Sequence, residues 1–415
     1  MNAFASSLRL PLRKKTTPAA GQDVPAATRT VLALLQQIQG GSVQIQLPAG
    51  ESMLFGHGEV RADLVVHDQR VFERVLGEGD IGFGEAYIDG DWESSDPAAL
   101  LVLLAENREV LARAVQGRWW DVLRHRLRHM TRSNTRAGSR RNILAHYDLG
   151  NDFYRLWLDP SMTYSAALFG EATQMNLEQA QRTKYLHLLD RLDPKPGDTI
   201  LEVGCGWGGF AEVAAQEYGC RIHGITLSPA QLAYAQERAR NGGWSDQAEF
   251  TLTDYRDVHR SGREYDHIVS IEMFEAVGER FWPGYFKQLK RVLRPRGRAV
   301  IQTITIADER FRAYRRGTDF IQRHIFPGGM LPSPKVFERR AASADFLVAD
   351  RYAFGIDYAR TLEAWHQRFE HAWPQVEALG FDARFHRLWR FYLAYCEAGF
   401  RSGATDVYHY VLEKR

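Results

Sequence analysis

The sequence predicts an α/β fold built on a mostly parallel sheet with helices on both faces, helical substrate-binding insertions, and a small α+β N-terminal domain. Three observations predict it. From residue 198 onward, strand-like runs at 199–204, 221–227, 248–253, 266–272 and 298–306 alternate with helical stretches, which is the pattern of a parallel sheet with crossover helices. The first of these runs ends in "LEVGCGWGGF", residues 201–210, with glycines at 204, 206, 208 and 209. Before residue 115, short alternating runs and two helical stretches make a separate pattern.

The chain has 415 residues, 45% apolar and 25% charged, enough for two domains with ordinary soluble-protein composition. A net charge of +2 gives no indication of a nucleic-acid partner. Cys205, Cys220 and Cys396 are odd in number and far apart. A disulfide framework or a metal site is therefore not expected, and a reducing cytoplasm fits the cysteine usage. No run approaches the ~18 apolar residues of a membrane span.

Residues 1–25 place their basic cluster after a weakly apolar start, the wrong order for a secretory signal, and read as a mobile tail. Residues 26–115 read as the small α+β domain. It has a helix over 26–40, alternating runs such as "VQIQL" and "ADLVVHD" within 42–90, and a helix opening near Pro97. Residues 116–141 read as a basic linker helix. From 117 to 141 it holds eight arginines against the single acid Asp121, with Trp119, Trp120, Leu123, Leu127 and Met130 at helical spacing. Such a helix can lie at an anionic membrane surface or pack its apolar stripe between domains. Residues 142–415 read as the catalytic domain. Within it "SPAQLAYAQERARN" starts a helix at Ser228 and Pro229, "LRPRGRA" reads as a turn before 298, and the aromatic-rich 307–395 reads as mostly helical and as the source of an acyl-chain cavity.

The glycine loop fits two cofactor classes. Gly204, Gly206 and Gly209 satisfy G-x-G-x-x-G, which brings a dinucleotide pyrophosphate to a helix N-terminus. A dinucleotide site also wants an acid at the end of the next strand. That strand ends "GITLS", without a carboxylate. The crowded glycines and the acid Glu202 suit S-adenosylmethionine (SAM) better, and the expected frame is a Rossmann-like SAM methyltransferase sheet. A nicotinamide- or flavin-dependent oxidoreductase and a non-catalytic lipid-binding protein stay as alternatives.

A more specific resemblance lies in eight segments in order: "HYDLGNDFYRLWLDPSMTYSAALF", "LEVGCGWGGF", "GITLSPAQ", "DYRD", "IEMFEAVG", "FIQRHIFPGGMLPS", "DYARTLEAWHQRF" and "YCEAGFR". From about residue 140 to the C-terminus the chain resembles the cyclopropane fatty acid synthase family. The resemblance implies transfer of a one-carbon unit from SAM to the cis double bond of an unsaturated phospholipid acyl chain. A carbocation forms, and loss of a proton from the new methyl closes the ring. A methylene- or methyl-branched chain is the alternative product. A dry pocket and aromatic faces would protect such a cation.

The same resemblance assigns cofactor contacts to Tyr164, Ser165, Leu201, Glu202, Val203, Gly204, Cys205, Gly206, Trp207, Gly208, Gly209, Thr226, Leu227, Ser228, Gln231, Thr253 and Asp254. Thr226 and Gln231 are expected to bind the ribose or amino-acid end, and Asp254 the adenine amino group. It implies a bicarbonate ion as base, held by Glu275, Gln302, Tyr358 and the main chain near Ile304, with the Glu275 pKa raised. It places Cys396 at the active site, as cavity lining rather than as a nucleophile. Three positions depart from many relatives: Ala166 stands for a cysteine, and Ala276 and Gln302 stand for histidines. The anion site is expected to be altered accordingly. The implied partners are acyl chains and an anionic membrane surface, with no nucleic acid and a homodimer as a further expectation. The implied location is the cytoplasm, peripherally at the inner face of the membrane.

Overall fold

The structure is a computed structural model and describes residues 25–109, 149–172 and 174–414. The basic segment 117–141 and the tail before residue 25 lie outside the described residues.

The N-terminal part opens with α1 (Ala26–Leu35), then β1 (Gly41–Gln46), β2 (Ser52–His57) and β3 (Val60–Val66). From residue 70 the chain turns helical, as α2 (Arg70–Glu78) and α3 (Asp80–Ile88), where alternation had suggested more strand. β4 (Trp92–Glu93) and α4 (Pro97–Glu106) follow. Asp96 caps α4 by accepting from the Ala99 N–H at 2.9 Å, and Pro97 occupies its first turn. The sheet order is β2-β1-β3-β4.

The larger part begins with α5 (Asn151–Trp157) and α6 (Leu177–Leu192). Asn176 and Gln179 close a reciprocal capping box at the start of α6. The parallel core then runs β5 (Thr199–Val203), α7 (Gly209–Tyr218), β6 (Arg221–Thr226), α8 (Pro229–Asn241), β7 (Ala248–Leu252) and β8 (Tyr265–Ile271). It continues through α9 (Trp282–Val292) and β9 (Leu293–Ile306). All five strand expectations are met within a few residues. The "LRPRGRA" turn proves to be a bulge inside β9. Tyr265 pairs with Leu293 and His267 with Arg298, so residues 294–297 loop out, with Arg296 at φ +65° and Gly297 packed on the Asp266 carbonyl.

Past β9 come α10 (Asp308–Tyr314), α11 (Phe320–His324), α12 (Pro334–Ala342), β10 (Phe346–Ala353), α13 (Gly355–Ala378), α14 (Ala383–Arg401) and β11 (Thr405–Lys414). β10 and β11 were not expected. They add antiparallel to β9 and give the seven-stranded order β10-β11-β9-β8-β5-β6-β7. The chain leaves β5 toward β6 and β7 on one side and returns to β8 and β9 on the other. The crevice between the carboxyl ends of β5 and β8 is the place where such sheets bind ligands.

One apolar core joins the N-terminal part to α13 and α14. Phe83 stacks on Trp92 at 4.2 Å, and Phe320 and Phe391 close on the same cluster. Gly84 permits that approach, because a Cβ there would lie 2.5 Å from the Phe320 ring. Arg387 of α14 donates to the carbonyls of Tyr87 and Trp92. The N-terminal part thereby fixes α14, the helix that carries Tyr392 and Cys396.

Candidate active site

β5 delivers the chain into the loop 204–208. Gly204, Gly206 and Gly208 hold φ of +83°, +50° and +83°, backbone that other residues rarely adopt. A Cβ on Gly206 would project into open space rather than into protein. That open space is a cavity at the carboxyl ends of the strands. Tyr164, Ser165, Glu202, Val203, Gly204, Cys205, Gly206, Trp207, Gly209, Thr226, Leu227, Gln231 and Thr253 line it.

Four of the assigned positions stand behind the lining. Leu201 is packed in the core beneath it. Gly208 faces Ala235 and Phe250. Ser228 caps α8 by accepting from the Gln231 N–H at 3.3 Å. Asp254 has a partner other than the expected adenine amino group. Its carboxylate accepts from the Arg256 N–H at 2.9 Å and from Arg256 Nε at 2.8 Å, and so caps the turn Tyr255–Ser261. A short acid beside a free N–H two residues on closes on itself more readily than it reaches outward.

The lining carries complementarity for a cation. Glu202 is buried, and its Oε2 has no hydrogen-bond partner among the described residues. Burial pushes its carboxyl well above the usual range. A positively charged ligand at that oxygen would restore its charge. Thr226 Oγ1 donates to Gln231 Oε1 at 3.0 Å, which leaves the Gln231 amide nitrogen for a ligand. SAM, with its ammonium and sulfonium, fits these residues: an orphaned buried carboxylate oxygen, glycines that leave room, and polar groups at the end of β6.

The second half of the site centres on a residue that sequence reading passed over. Glu272 follows β8 at φ +48° and lines the same cavity. Its Oε1 accepts from the Ala166 N–H at 2.8 Å and from Gln302 Nε2 at 2.7 Å, and its Oε2 accepts from the Tyr358 hydroxyl at 2.6 Å. Burial raises its pKa, while these donors and the Lys184 charge oppose the rise. Glu275, three residues on, points elsewhere. Its Oε1 accepts from the Ile304 N–H and from Thr303 Oγ1 at 3.0 Å. Burial, then the neighbouring Glu272 carboxylate, push it up to about 8. The four positions assigned to one ion therefore divide. Gln302 and Tyr358 serve Glu272, and the Ile304 main chain serves Glu275.

Two further groups were missed. Lys184 of α6 is fully buried, donates to Ser165 Oγ at 2.6 Å and Gln181 Oε1 at 2.7 Å, and is pushed down to about 7, chiefly by burial. Tyr185 lines the cavity and bonds Thr163 at 2.7 Å. A helix of mixed polarity gives no sequence signal for either. Glu272 did carry one, an acid at the carboxyl end of a parallel strand. Cys396 is half-buried on the core, and burial pushes its thiol up, away from thiolate. Aromatic rings enclose the site: Tyr164 packs on Tyr154, Trp157 and Trp365, its hydroxyl 2.7 Å from that of Tyr392, and Tyr358 stacks on Phe400 at 4.4 Å. Among the described residues there is no cluster of ligands for a metal ion, and no helix long and apolar enough to cross a membrane.

Comparison with known proteins places this geometry. Residues 134–410 match the family described as mycolic acid cyclopropane synthetase. The chain is 36% identical over 397 residues to the tuberculostearic acid methyltransferase UfaA1 of Mycobacterium tuberculosis, covering 93% of this chain and 92% of that one. It is 35% identical over 362 residues to the cyclopropane-fatty-acyl-phospholipid synthase of Escherichia coli K12, covering 86% and 89%. Among solved structures, the mycolic acid cyclopropane synthase CmaA1 in complex with SAH and CTAB superposes with a TM-score of 0.62 at 33% identity, covering 66% of this chain and 98% of that one. The cyclopropane synthase MmaA2 of M. tuberculosis gives the same TM-score at 32% identity, with the same coverage.

Proposed function

This chain belongs to the mycolic acid cyclopropane synthetase family and is a SAM-dependent, lipid-modifying methyltransferase; from that premise we propose that it adds a methylene unit across the cis double bond of an unsaturated phospholipid acyl chain and closes a cyclopropane ring. The oxidoreductase alternative falls with the family membership. The observation that carries the reading is one shared cavity: the glycine loop after β5 and the Glu272 carboxylate after β8 open into the same space. SAM supplies an electrophilic methyl group. The chain's part is to hold the alkene against it, exclude water, and receive a proton.

The aromatic wall supports the second of these roles. Tyr164, Trp207 and the rings packed behind them present apolar edges and negative faces to a cation. A carbocation formed there would be kept from water, which would otherwise quench it as an alcohol. Ring closure needs only SAM and a base. A methylene branch needs the same two and a hydride shift, whereas a saturated methyl branch needs an added reductant. The name of the M. tuberculosis relative, a tuberculostearic acid methyltransferase, keeps the branched product as the second reading. We also propose that the enzyme works at an anionic membrane surface, on the basic, tryptophan-bearing sequence 117–141.

The test is incubation with SAM and mixed unsaturated phospholipids, followed by mass spectrometry and NMR of the acyl chains. A gain of one CH2 unit with high-field cyclopropyl protons is expected. Vinylidene signals alone would replace the ring with the branched product, and no mass gain on any lipid would refute the reading.

A further inference from the structure

Ring closure requires an acceptor for the proton of the new methyl group. The family resemblance supplies bicarbonate, and the residues present do not fit that ion. The donors it would need are already engaged by the chain's own carboxylates. Gln302 Nε2 and the Tyr358 hydroxyl bond Glu272 at 2.7 and 2.6 Å, and the Ile304 N–H bonds Glu275. An added anion would find none of these three donors free and would stand beside the Glu272 carboxylate, a like charge that the same site cannot also hold.

We propose that the Glu272 carboxylate takes the place of the ion and is itself the proton acceptor, an inference that rests on the ring-forming reading above. Glu272 Oε1 is occupied by two donors, from Ala166 and Gln302. Oε2 accepts only from Tyr358 and keeps a lone pair. That lone pair belongs to a residue lining the cofactor cavity. The backbone at φ +48° is a left-handed conformation that a glutamate adopts only under strain, and such positions cluster at functional sites.

The surroundings hold this carboxylate in an acceptor's role. The Glu272 carboxylate can only accept, so Gln302 turns its NH2 toward it and its Oε1 toward His409 Nε2, 2.8 Å away. Buried, neutral His409 therefore carries its proton on Nε2, and its Nδ1 accepts from His187 Nδ1 at 2.7 Å. Two imidazoles in series back the amide in that orientation. In the step itself, a C–H bond of the transferred methyl breaks. Its electron pair forms the bond to the cationic carbon and closes the ring, and the proton goes to Glu272 Oε2. The proton is returned to solvent when the products leave.

The experiment measures CH2 addition by the full chain in CO2-free buffer, with and without added bicarbonate, for the wild type, Glu272→Gln and Glu272→Gly, with SAM affinity by calorimetry alongside. The wild-type rate is expected to be indifferent to bicarbonate. Glu272→Gln is expected to lose roughly a hundredfold or more in kcat, the range for a missing general base, with SAM affinity kept. Glu272→Gly, which leaves the three donors facing a hole, is expected to regain turnover when bicarbonate is added. A wild-type rate that falls in CO2-free buffer and returns with bicarbonate would overturn the inference, as would Glu272→Gln turning over normally. Both of those results require an active wild type, so they are distinguishable from failure of the ring-forming reading, in which the wild type itself adds no CH2 unit to any lipid and the inference falls with it.

Discussion

Tyr358 donates its hydroxyl to Glu272 at 2.6 Å across 86 residues of sequence. The bond ties α13 to the residue that follows β8 and lines the cavity, and it lowers the pKa of a carboxyl group that burial raises. Tyr358→Phe removes that donor and leaves the ring stack on Phe400 in place. The ionised form of Glu272 then becomes harder to reach. The rising limb of the pH–kcat profile is expected to move to higher pH, with kcat lower at neutral pH and SAM affinity unchanged. An unmoved limb would show that Tyr358 does not act through the carboxylate.

Glu275 should leave a mark on stability rather than on turnover alone. Its folded pKa of about 8 lies above its ordinary value. Between the two, the folded state binds more protons than the unfolded state, so the stability contributed by protonated Glu275 is complete at low pH and declines as pH rises through 8. Denaturant midpoints of the wild type are expected to fall between pH 5 and about 8.5 more steeply than those of Glu275→Gln, the neutral isostere. Parallel pH profiles for the two proteins would contradict the assignment.

Gly206 stands at φ +50° with open cavity where a side chain would go. Gly206→Val is expected to fold with a lowered thermal midpoint, because a β-branched residue in that conformation costs about 1–2 kcal/mol. Its isopropyl group fills cofactor space, and SAM binding should vanish from calorimetry. Normal binding by a folded variant would mean that the cofactor lies elsewhere.

Ala166 contributes its N–H to Glu272, and its methyl group is fully buried. Ala166→Cys adds a thiol at the position where the family resemblance implies one, without touching that hydrogen bond. The expected change is in rate, with the ring still the product by NMR. A switch to vinylidene product would show that this position decides how the cation collapses.

Arginines at an anionic surface contribute about 1 kcal/mol each when they reach it. Replacing Arg124, Arg128 and Arg132 with Gln is expected to weaken sedimentation with anionic vesicles at low salt and to flatten its salt dependence. An unchanged sedimentation profile would favour a segment that serves only within the protein.

The sequence alone determined the parallel sheet, the glycine loop after its first strand and the family. Strand–helix alternation, glycine spacing and contiguous motifs are local properties, and "LEVGCGWGGF" reads the same in any context. The antiparallel strands β10 and β11 were not legible, because "FLVADRYA" and "TDVYHYVLEK" become strands by pairing with β9 rather than by a pattern of their own. The same limit applied to the acids of "IEMFEAVG". Glu272 and Glu275 are three residues apart, and nothing in that spacing says which lines the cavity. The fold decided it by bringing the Ala166 N–H, Gln302 and Tyr358 to one of them and the Ile304 N–H to the other. A carboxylate's role depends on donors delivered from distant parts of the chain, and only the tertiary structure delivers them.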